Sequence, residues 1–230
     1  MREVAPGLFQ MRGATGPLVN FYLAGDVLID CGWPWDWPLV LRRLRGLAVR
    51  AHAVTHAHPD HAGSSWRVCR SLRIPFWCGA RDVPAAESGN MGYTARRRYE
   101  PWVLLQKVFA RMRGVPVDRA LREGDTAGGF TVIDAPGHTP GHVAFFRERD
   151  RVLLVGDVMI GRSFFTLERG IFQPLPMFNW NHQINRLSGR KLAALRPQVV
   201  CFGHGPVLRD PAQLERLAEL VDQAPASVEG

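Results

Sequence analysis

His56-Ala57-His58-Pro59-Asp60-His61 is the most informative stretch of this sequence, because four of its six side chains can bind a metal ion. Only Ala and Pro lie between them, so the stretch contributes little to a hydrophobic core. The chain has 8 histidines, and three of them within six positions are hard to explain by packing. Pro59 and Gly63 argue against a helix here. We therefore predict a loop at the end of a strand, in which imidazoles and a carboxylate converge on one point.

Three further metal-binding residues follow the same local pattern, in which an apolar run ends beside glycine. His138 lies in Ala135-Pro136-Gly137-His138, Asp157 ends Leu153-Leu154-Val155-Gly156-Asp157, and His204 follows Cys201-Phe202-Gly203. An apolar run that ends in Gly is typical of a buried strand turning into a loop. With the first stretch, these motifs supply five imidazoles and two carboxylates. That set is too large for one tetrahedral ion and suits two.

The ordered motifs resemble those of the metallo-β-lactamase-fold hydrolase superfamily. Asp30 in Leu28-Ile29-Asp30-Cys31-Gly32 matches the family's first aspartate, residues 56–61 match its HxHxDH signature, and His138, Asp157 and His204 match the remaining positions in order. Five motifs in the right order, over residues 3–210, make the resemblance specific. It implies an α/β fold of the four-layer αββα metallo-β-lactamase type, with two sheets face to face, helices outside and metals at one edge. We expect a single domain over residues 1–230.

The resemblance also implies how two divalent metal ions would share the ligands. His56, His58 and His138 would hold the first ion, Asp60, His61 and His204 would hold the second, and Asp157 would bridge the two. Zinc is the expected metal for a histidine-rich site, while iron and manganese also suit mixed imidazole and carboxylate ligands. Two such ions can share a hydroxide, which is a nucleophile at neutral pH.

Four residues have predicted roles in or behind the metal site. Asp60 or Asp157 would accept or relay the proton as catalytic residues. Asp30 would orient a ligand through hydrogen bonds without binding metal itself. His142 would do the same, although a plain structural role is the alternative.

Two aromatic groups are expected to wall a substrate pocket. One follows Asp30 directly and the other follows Asp157; their members are Trp33, Trp35 and Trp37 on one side and Phe164, Phe165 and Phe178 on the other. Three tryptophans in one loop are costly to leave in water, so the alternative is that they fill the core. A pocket lined by these rings would favour an acyl or otherwise apolar small-molecule substrate.

Residues 85–120 are predicted to be a helical insertion. Trp102, Leu105, Phe109 and Met112 are spaced three, four and three residues apart, which gives one apolar helix face. This face could pack as ordinary core, cover the site as a lid, or contact a second copy in a homodimer. Core-like packing with a partial lid role is our expectation.

Composition places the chain among ordinary globular proteins. Its 230 residues are 46% hydrophobic, without an apolar run long enough for a transmembrane helix, and the first residues lack the apolar stretch that is typical of a signal peptide. We therefore expect a cytoplasmic protein without membrane contact. The 4 cysteines are widely spaced, which argues against a disulfide framework. The formal net charge of +8 comes mainly from scattered arginines. We read it as a compositional bias, so nucleic-acid binding is not expected.

The motifs together predict a dinuclear metal-dependent hydrolase of an ester-type bond: a thioester, a lactone or a carboxylic ester. The first alternative is a phosphodiesterase or nuclease that uses the same metal pair. The second is a mononuclear iron oxygenase of the persulfide dioxygenase type, and the third is a binding module without activity. Asp157 argues against β-lactam hydrolysis, because the β-lactamases that share the 56–61 signature lack a bridging aspartate.

Overall fold

The computed structural model describes residues 1–90, 111–163, 168–210, 212–213 and 216. Within them a first sheet of seven strands runs in chain order: β1 (Arg2–Ala5), β2 (Leu8–Arg12), β3 (Asn20–Ala24), β4 (Val27–Ile29), β5 (Ala51–Ala53), β6 (Phe76–Gly79) and β7 (Arg119–Leu121). The later strands are β8 (Thr126–Ala127), β9 (Phe130–Asp134), β10 (Val143–Arg147), β11 (Val152–Gly156), β12 (Ile160–Arg162), β13 (Arg169–Phe172) and β14 (Val199–Phe202). Five of them form the second sheet in the order β14-β11-β10-β9-β8, and β12 pairs with β13 as a separate hairpin.

Helices cover the outer faces of the two sheets. In chain order they are α1 (Trp37–Leu44), α2 (Pro59–Ala62), α3 (Ser65–Leu72), α4 (Val83–Ser88) and α5 (His182–Ala194). Val40 of α1 and Val68 of α3 pack on the outer face of the first sheet. Leu192 of α5 packs on the outer face of the second.

Alternating side chains along the strands build the layers between these helices. In β10, Val143 and Phe145 join the cluster between the sheets, while Ala144 and Phe146 join the cluster under α5. This follows from the two-residue period of a strand, which sends successive side chains to opposite faces. Every residue of β10 is therefore buried. The predicted αββα sandwich is confirmed.

Strand direction brings the ligand motifs to one edge. β4 and β5 are parallel, as are β11 and β14. β9 and β11 are both antiparallel to β10, so they run in the same direction as each other. Each motif follows the carboxyl end of one of these strands, where functional residues of α/β proteins commonly collect.

The prediction that no helix carries residues 56–61 is wrong for the second half of that stretch. Pro59 is the first residue of α2, and His58 before it is extended, with φ −98° and ψ 155°. Proline suits this position because its missing N–H would have no partner within the helix, and its fixed φ is already helical. The stretch is therefore divided. His56 and His58 lie in an extended loop, whereas Asp60 and His61 lie on a helical turn.

The predicted 85–120 insertion is described only at its two ends. Its apolar positions Trp102, Leu105 and Phe109 lie outside the described residues. Met112 is buried in the cluster that contains Phe76. All four cysteines are free and buried. The described part of the chain contains no helix that is long and apolar enough to cross a membrane.

Candidate metal centre

The seven predicted ligands fall into two groups of converging atoms. Within each group, one ligand atom from every residue lies within 4.8 Å of all the others. The three-histidine group consists of His56, His58 and His138, and the mixed group consists of Asp60, His61, Asp157 and His204. Most of these side chains are buried, so water does not compete freely for their ligand atoms.

The three-histidine group is arranged as three rings standing nearly at right angles to one another. Ring centroids are 4.6 Å apart for His56 and His58, and 4.7 Å apart for each of these with His138. His58 Nδ1 lies 3.1 Å from His138 Nε2. On its far side, His138 Nδ1 donates to Asn179 Oδ1 at 2.9 Å. That bond leaves Nε2 of His138 with a lone pair directed into the group.

The mixed group is held by contacts between imidazoles and carboxylates. His204 Nε2 lies 3.0 Å from Asp157 Oδ2 and 3.3 Å from Asp60 Oδ2. His61 Nε2 lies 3.4 Å from Asp157 Oδ1. The far nitrogens are anchored, because His61 Nδ1 donates to Asp30 Oδ2 at 2.9 Å and His204 Nδ1 donates to the carbonyl of Leu18.

Asp157 reaches both groups. Its Oδ2 lies 3.7 Å from His138 Nε2, in addition to the contact with His204. Two buried atoms, Asp157 Oδ1 and His56 Nε2, make no hydrogen bond to any described residue. Leaving a buried acceptor unsatisfied costs about 1–3 kcal/mol, so such atoms need an explanation. One unsatisfied atom in each group is what cation sites would leave, and the donor types fit divalent metals.

The two groups differ in charge. Burial, and then the imidazole of His138, lower the pKa of His58 to about 3. Burial likewise lowers the pKa of His56 and of His138. In the mixed group, burial alone would lower the pKa of His204, but the carboxylates of Asp157 and Asp60 raise it to about 10. The three-histidine group is therefore neutral at pH 7, while the mixed group contains imidazolium ions facing carboxylates.

Asp30 lies where the sequence predicts, behind the ligands. Its Oδ1 accepts from the backbone N–H of Thr55 at 2.7 Å, and its Oδ2 accepts from His61. Its φ is +58°, a left-handed conformation that aspartate tolerates better than most residues. Asp30 thus fixes the orientation of His61 and ties it to the loop that leads to His56.

His142 holds the loop of Asp157. Its Nε2 accepts the backbone N–H of Asp157 at 3.1 Å, and its ring stacks on that of His56 with centroids 5.0 Å apart. A Cβ at Gly156 would lie 2.5 Å from the same Nε2, and the φ of this glycine is +57°. Only glycine permits this approach, and the imidazole holds the loop through its hydrogen bond to the backbone of Asp157.

Sequence reasoning missed three buried polar residues that support the ligands. Asn179 accepts from His138, and Asn20 Nδ2 donates to the carbonyls of Phe202 and Gly205 on either side of His204. Asp82 makes three hydrogen bonds to the two loops that carry the three-histidine group. The partners of these residues are 41 or more positions away in five of these six hydrogen bonds, and no local pattern marks them.

The aromatic residues divide between surface and core. Trp33 and Trp35 stack with ring centroids 5.3 Å apart, and Trp35 is 49% exposed. Ser64 Oγ donates to the carbonyl of Trp33, which fixes this loop beside α2. Trp37 instead packs against the cluster outside the first sheet, with Arg67 above its ring. Placing Trp37 in the pocket was wrong, because its ring is partly buried against this outer cluster. Phe178 is half-buried beside Asn179, and Phe164 and Phe165 lie outside the described residues.

The sequence model of the metallo-beta-lactamase superfamily matches residues 15–204, which include every ligand motif. The chain belongs to this superfamily. Among relatives in the superfamily, the probable metallo-hydrolase YflN of Bacillus subtilis is 26% identical over 232 residues, covering 88% of this chain and 85% of YflN. The hydroxyacylglutathione hydrolase GloC of Haemophilus influenzae is 26% identical over 163 residues, covering 69% of this chain and 70% of GloC.

Solved structures of the superfamily agree with the fold. The crystal structure of TTHA1623 in a di-iron-bound form is 27% identical, with a TM-score of 0.63, and the match covers 94% of this chain and 96% of that one. A metallo-beta-lactamase family protein from Thermus thermophilus is 25% identical, with a TM-score of 0.65, covering 96% of this chain and 80% of that one. The chain is thus a member of a superfamily that includes probable metallo-hydrolases, and its converging histidines and aspartates form a candidate metal site.

Proposed function

We propose that this chain is a dinuclear metal-dependent hydrolase that cleaves an ester-type bond: a thioester, a lactone or a carboxylic ester. The observation that carries the proposal is the pair of adjoining ligand groups with Asp157 between them. His56, His58 and His138 would hold one ion, and Asp60, His61 and His204 would hold the other. The buried atoms His56 Nε2 and Asp157 Oδ1, which make no hydrogen bond to any described residue, support this division.

When bound, the metal pair would supply an activated water at neutral pH and an electrophile for the carbonyl oxygen of the substrate. The chain's own residues handle the proton. The side chain of Asp60 is 18% exposed, against 6% for Asp157. Asp60 is therefore the carboxylate better placed to accept a proton and pass it to solvent, while Asp157, held through its backbone by His142, keeps its position between the groups.

The surroundings of the site favour a small acyl substrate. The stacked rings of Trp33 and Trp35 stand beside α2, which carries Asp60 and His61, and give an apolar surface for an acyl group. The relative in Haemophilus influenzae is named as a hydroxyacylglutathione hydrolase, which supports a thioester in particular. Zinc is the metal we propose, and the di-iron form of TTHA1623 makes iron the main competitor.

One experiment tests the metals and the reaction together. Protein purified without chelator is analysed for zinc, iron and manganese, and the same sample is assayed on matched thioester, lactone, carboxylic ester and phosphodiester substrates. We expect two metal ions per chain and hydrolysis of at least one carboxylic substrate. A single iron per chain with oxygen uptake would refute the proposal. Hydrolysis of the phosphodiester alone would replace it with the phosphodiesterase alternative.

A further inference from the structure

Asp82 joins the two loops that carry the three-histidine group. It follows β6 and is fully buried. Its Oδ2 accepts from the backbone N–H of Ala57 at 3.0 Å and from Thr139 Oγ1 at 2.6 Å, and its Oδ1 accepts from the backbone N–H of Gly141 at 2.7 Å. Ala57 lies between two ligands of the group, and Thr139 directly follows the third. One carboxylate therefore sets the distance between the loops.

The backbone around Asp82 is packed so closely that two glycines are required. A Cβ at Gly141 would lie 2.2 Å from the backbone nitrogen of Asp82, and a Cβ at Gly79 would lie 1.8 Å from the carbonyl oxygen of Gly141. Any side chain at either position would push the 138–141 loop away from Asp82. The close approach is independent of the hydrogen bonds and confirms that the loop is seated directly on this residue.

We propose that Asp82 is a positioning residue that sets the metal affinity of the three-histidine group and leaves that of the mixed group unchanged. The inference rests on the proposed dinuclear function. Its selectivity follows from the contacts, because the three hydrogen bonds of Asp82 go to the loops of His56, His58 and His138. The mixed group has a separate support, since Asp30 holds His61.

Hydrogen-bond chemistry shows which substitution is informative. All three partners of Asp82 donate, so the side chain must offer acceptors only, as an ionised carboxylate does. Asp82→Asn keeps the size and shape but turns an amide N–H₂ towards the backbone N–H of Ala57 or of Gly141. One loop then loses its acceptor and moves away from the other. Residues behind metal ligands typically change metal affinity by 10–100-fold when they are mutated.

Asp36 provides a matched control. It is also fully buried, and its carboxylate accepts from the backbone N–H groups of Ala14 at 2.6 Å and of Trp33 at 2.9 Å. These partners lie outside the loops of the three-histidine group. Asp36→Asn therefore removes the same kind of buried carboxylate, with backbone N–H donors of its own, at a different place in the fold.

The test measures zinc affinity at each group separately. His204→Ala retains the complete three-histidine group, and His58→Ala retains the complete mixed group. Each background is combined with Asp82→Asn or Asp36→Asn, and zinc is titrated against a competing chelator. We expect Asp82→Asn to weaken binding about 10–100-fold in the His204→Ala background and less than about threefold in the His58→Ala background. Asp36→Asn is expected to change neither.

Unfolding of the metal-free chains separates a positioning role from a structural one. The inference would be overturned if Asp82→Asn weakened zinc binding equally at both groups and also destabilised the chain as Asp36→Asn does. Unchanged affinity in Asp82→Asn would also overturn it. If that variant does not fold, Thr139→Val removes one donor and leaves the carboxylate, and a smaller loss confined to the three-histidine group is expected. A third result would overturn both this inference and the dinuclear proposal. In it, with Asp82 intact, the His58→Ala variant takes up one zinc and the His204→Ala variant takes up none.

Discussion

The two ligand groups lie at the same edge of the sandwich, yet they are held together by different forces. In the three-histidine group, burial keeps the imidazoles neutral, and His138 donates its ring hydrogen bond to a neutral amide, that of Asn179. In the mixed group, carboxylates raise the pKa of His61 and of His204, so that ion pairs hold the group together before any metal arrives. The first group is ready to accept a cation, whereas the second must first lose protons.

Removal of Asp157 should have the largest effect, because this residue contacts both groups. Asp157→Ala is expected to reduce the metal content from the proposed two ions per chain to one or fewer. It should also lower kcat/KM by at least about 10²–10³-fold, the loss typical when a central electrostatic group of an active site is removed. Metal analysis and steady-state kinetics on the same sample would check this. Two bound ions with rates close to those of the parent chain would contradict the role given to Asp157.

The second largest effect should be a difference between the two groups in the pH dependence of their metal affinity. A protonated imidazole cannot bind metal, and the pKa of His204 is about 10 without metal, so binding at the mixed group displaces a proton throughout the range from pH 9 to pH 6. For each displaced proton, the zinc affinity of the mixed group should fall about tenfold for every unit by which the pH is lowered. The pKa of His58 is about 3, and those of His56 and His138 are lowered. Affinity at the three-histidine group should therefore stay nearly constant over the same range.

Zinc titrations at several pH values would check this contrast. The His204→Ala background reports the three-histidine group, and the His58→Ala background reports the mixed group. Equal slopes in the two backgrounds would show that the difference in charge does not control metal uptake.

A change at Asp30 should affect the mixed group alone. Asn tolerates the left-handed backbone at this position, so Asp30→Asn preserves the local conformation. With Oδ1 still accepting from Thr55, the new N–H₂ faces His61 Nδ1 and donates to it. His61 must then carry its proton on Nε2, the atom that should bind the metal. We expect a loss of about 10–100-fold in zinc affinity at the mixed group and little change at the other. Comparable losses at both groups would refute this tautomer argument.

The candidate ligands could be recognised in the sequence because they stand in local patterns, whereas the layered sandwich was expected from the family resemblance and not from local propensity. Apolar runs that end in glycine marked the strand ends that precede His138, Asp157 and His204. The short helix α2 was missed because Pro59 was read only as a helix breaker, although proline is favoured at the first position of a helix. Asp82 and Asn179 were missed for a different reason. Their importance comes from hydrogen bonds 59 and 41 positions away, which no local pattern encodes.

The smallest effect should come from giving His138 the kind of hydrogen-bond acceptor that His61 has. His138 donates to a neutral amide, Asn179, whereas His61 donates to a carboxylate, Asp30. Asn179→Asp would give His138 a charged acceptor, which raises the basicity of a metal-binding imidazole. We expect zinc to bind the three-histidine group a few-fold more tightly at pH 8, with affinity now falling as the pH drops because the pKa of His138 rises.

The same substitution also removes the donor that Asn179 Nδ2 offers to His182 Nδ1, so the ring of His182 must turn to donate instead. His182→Ala with an intact Asn179 is the control for this side effect. If Asn179→Asp leaves both the affinity and its pH dependence unchanged, the neutral support of His138 is not what distinguishes the two groups. The contrast would then rest on the carboxylates of Asp60 and Asp157 alone.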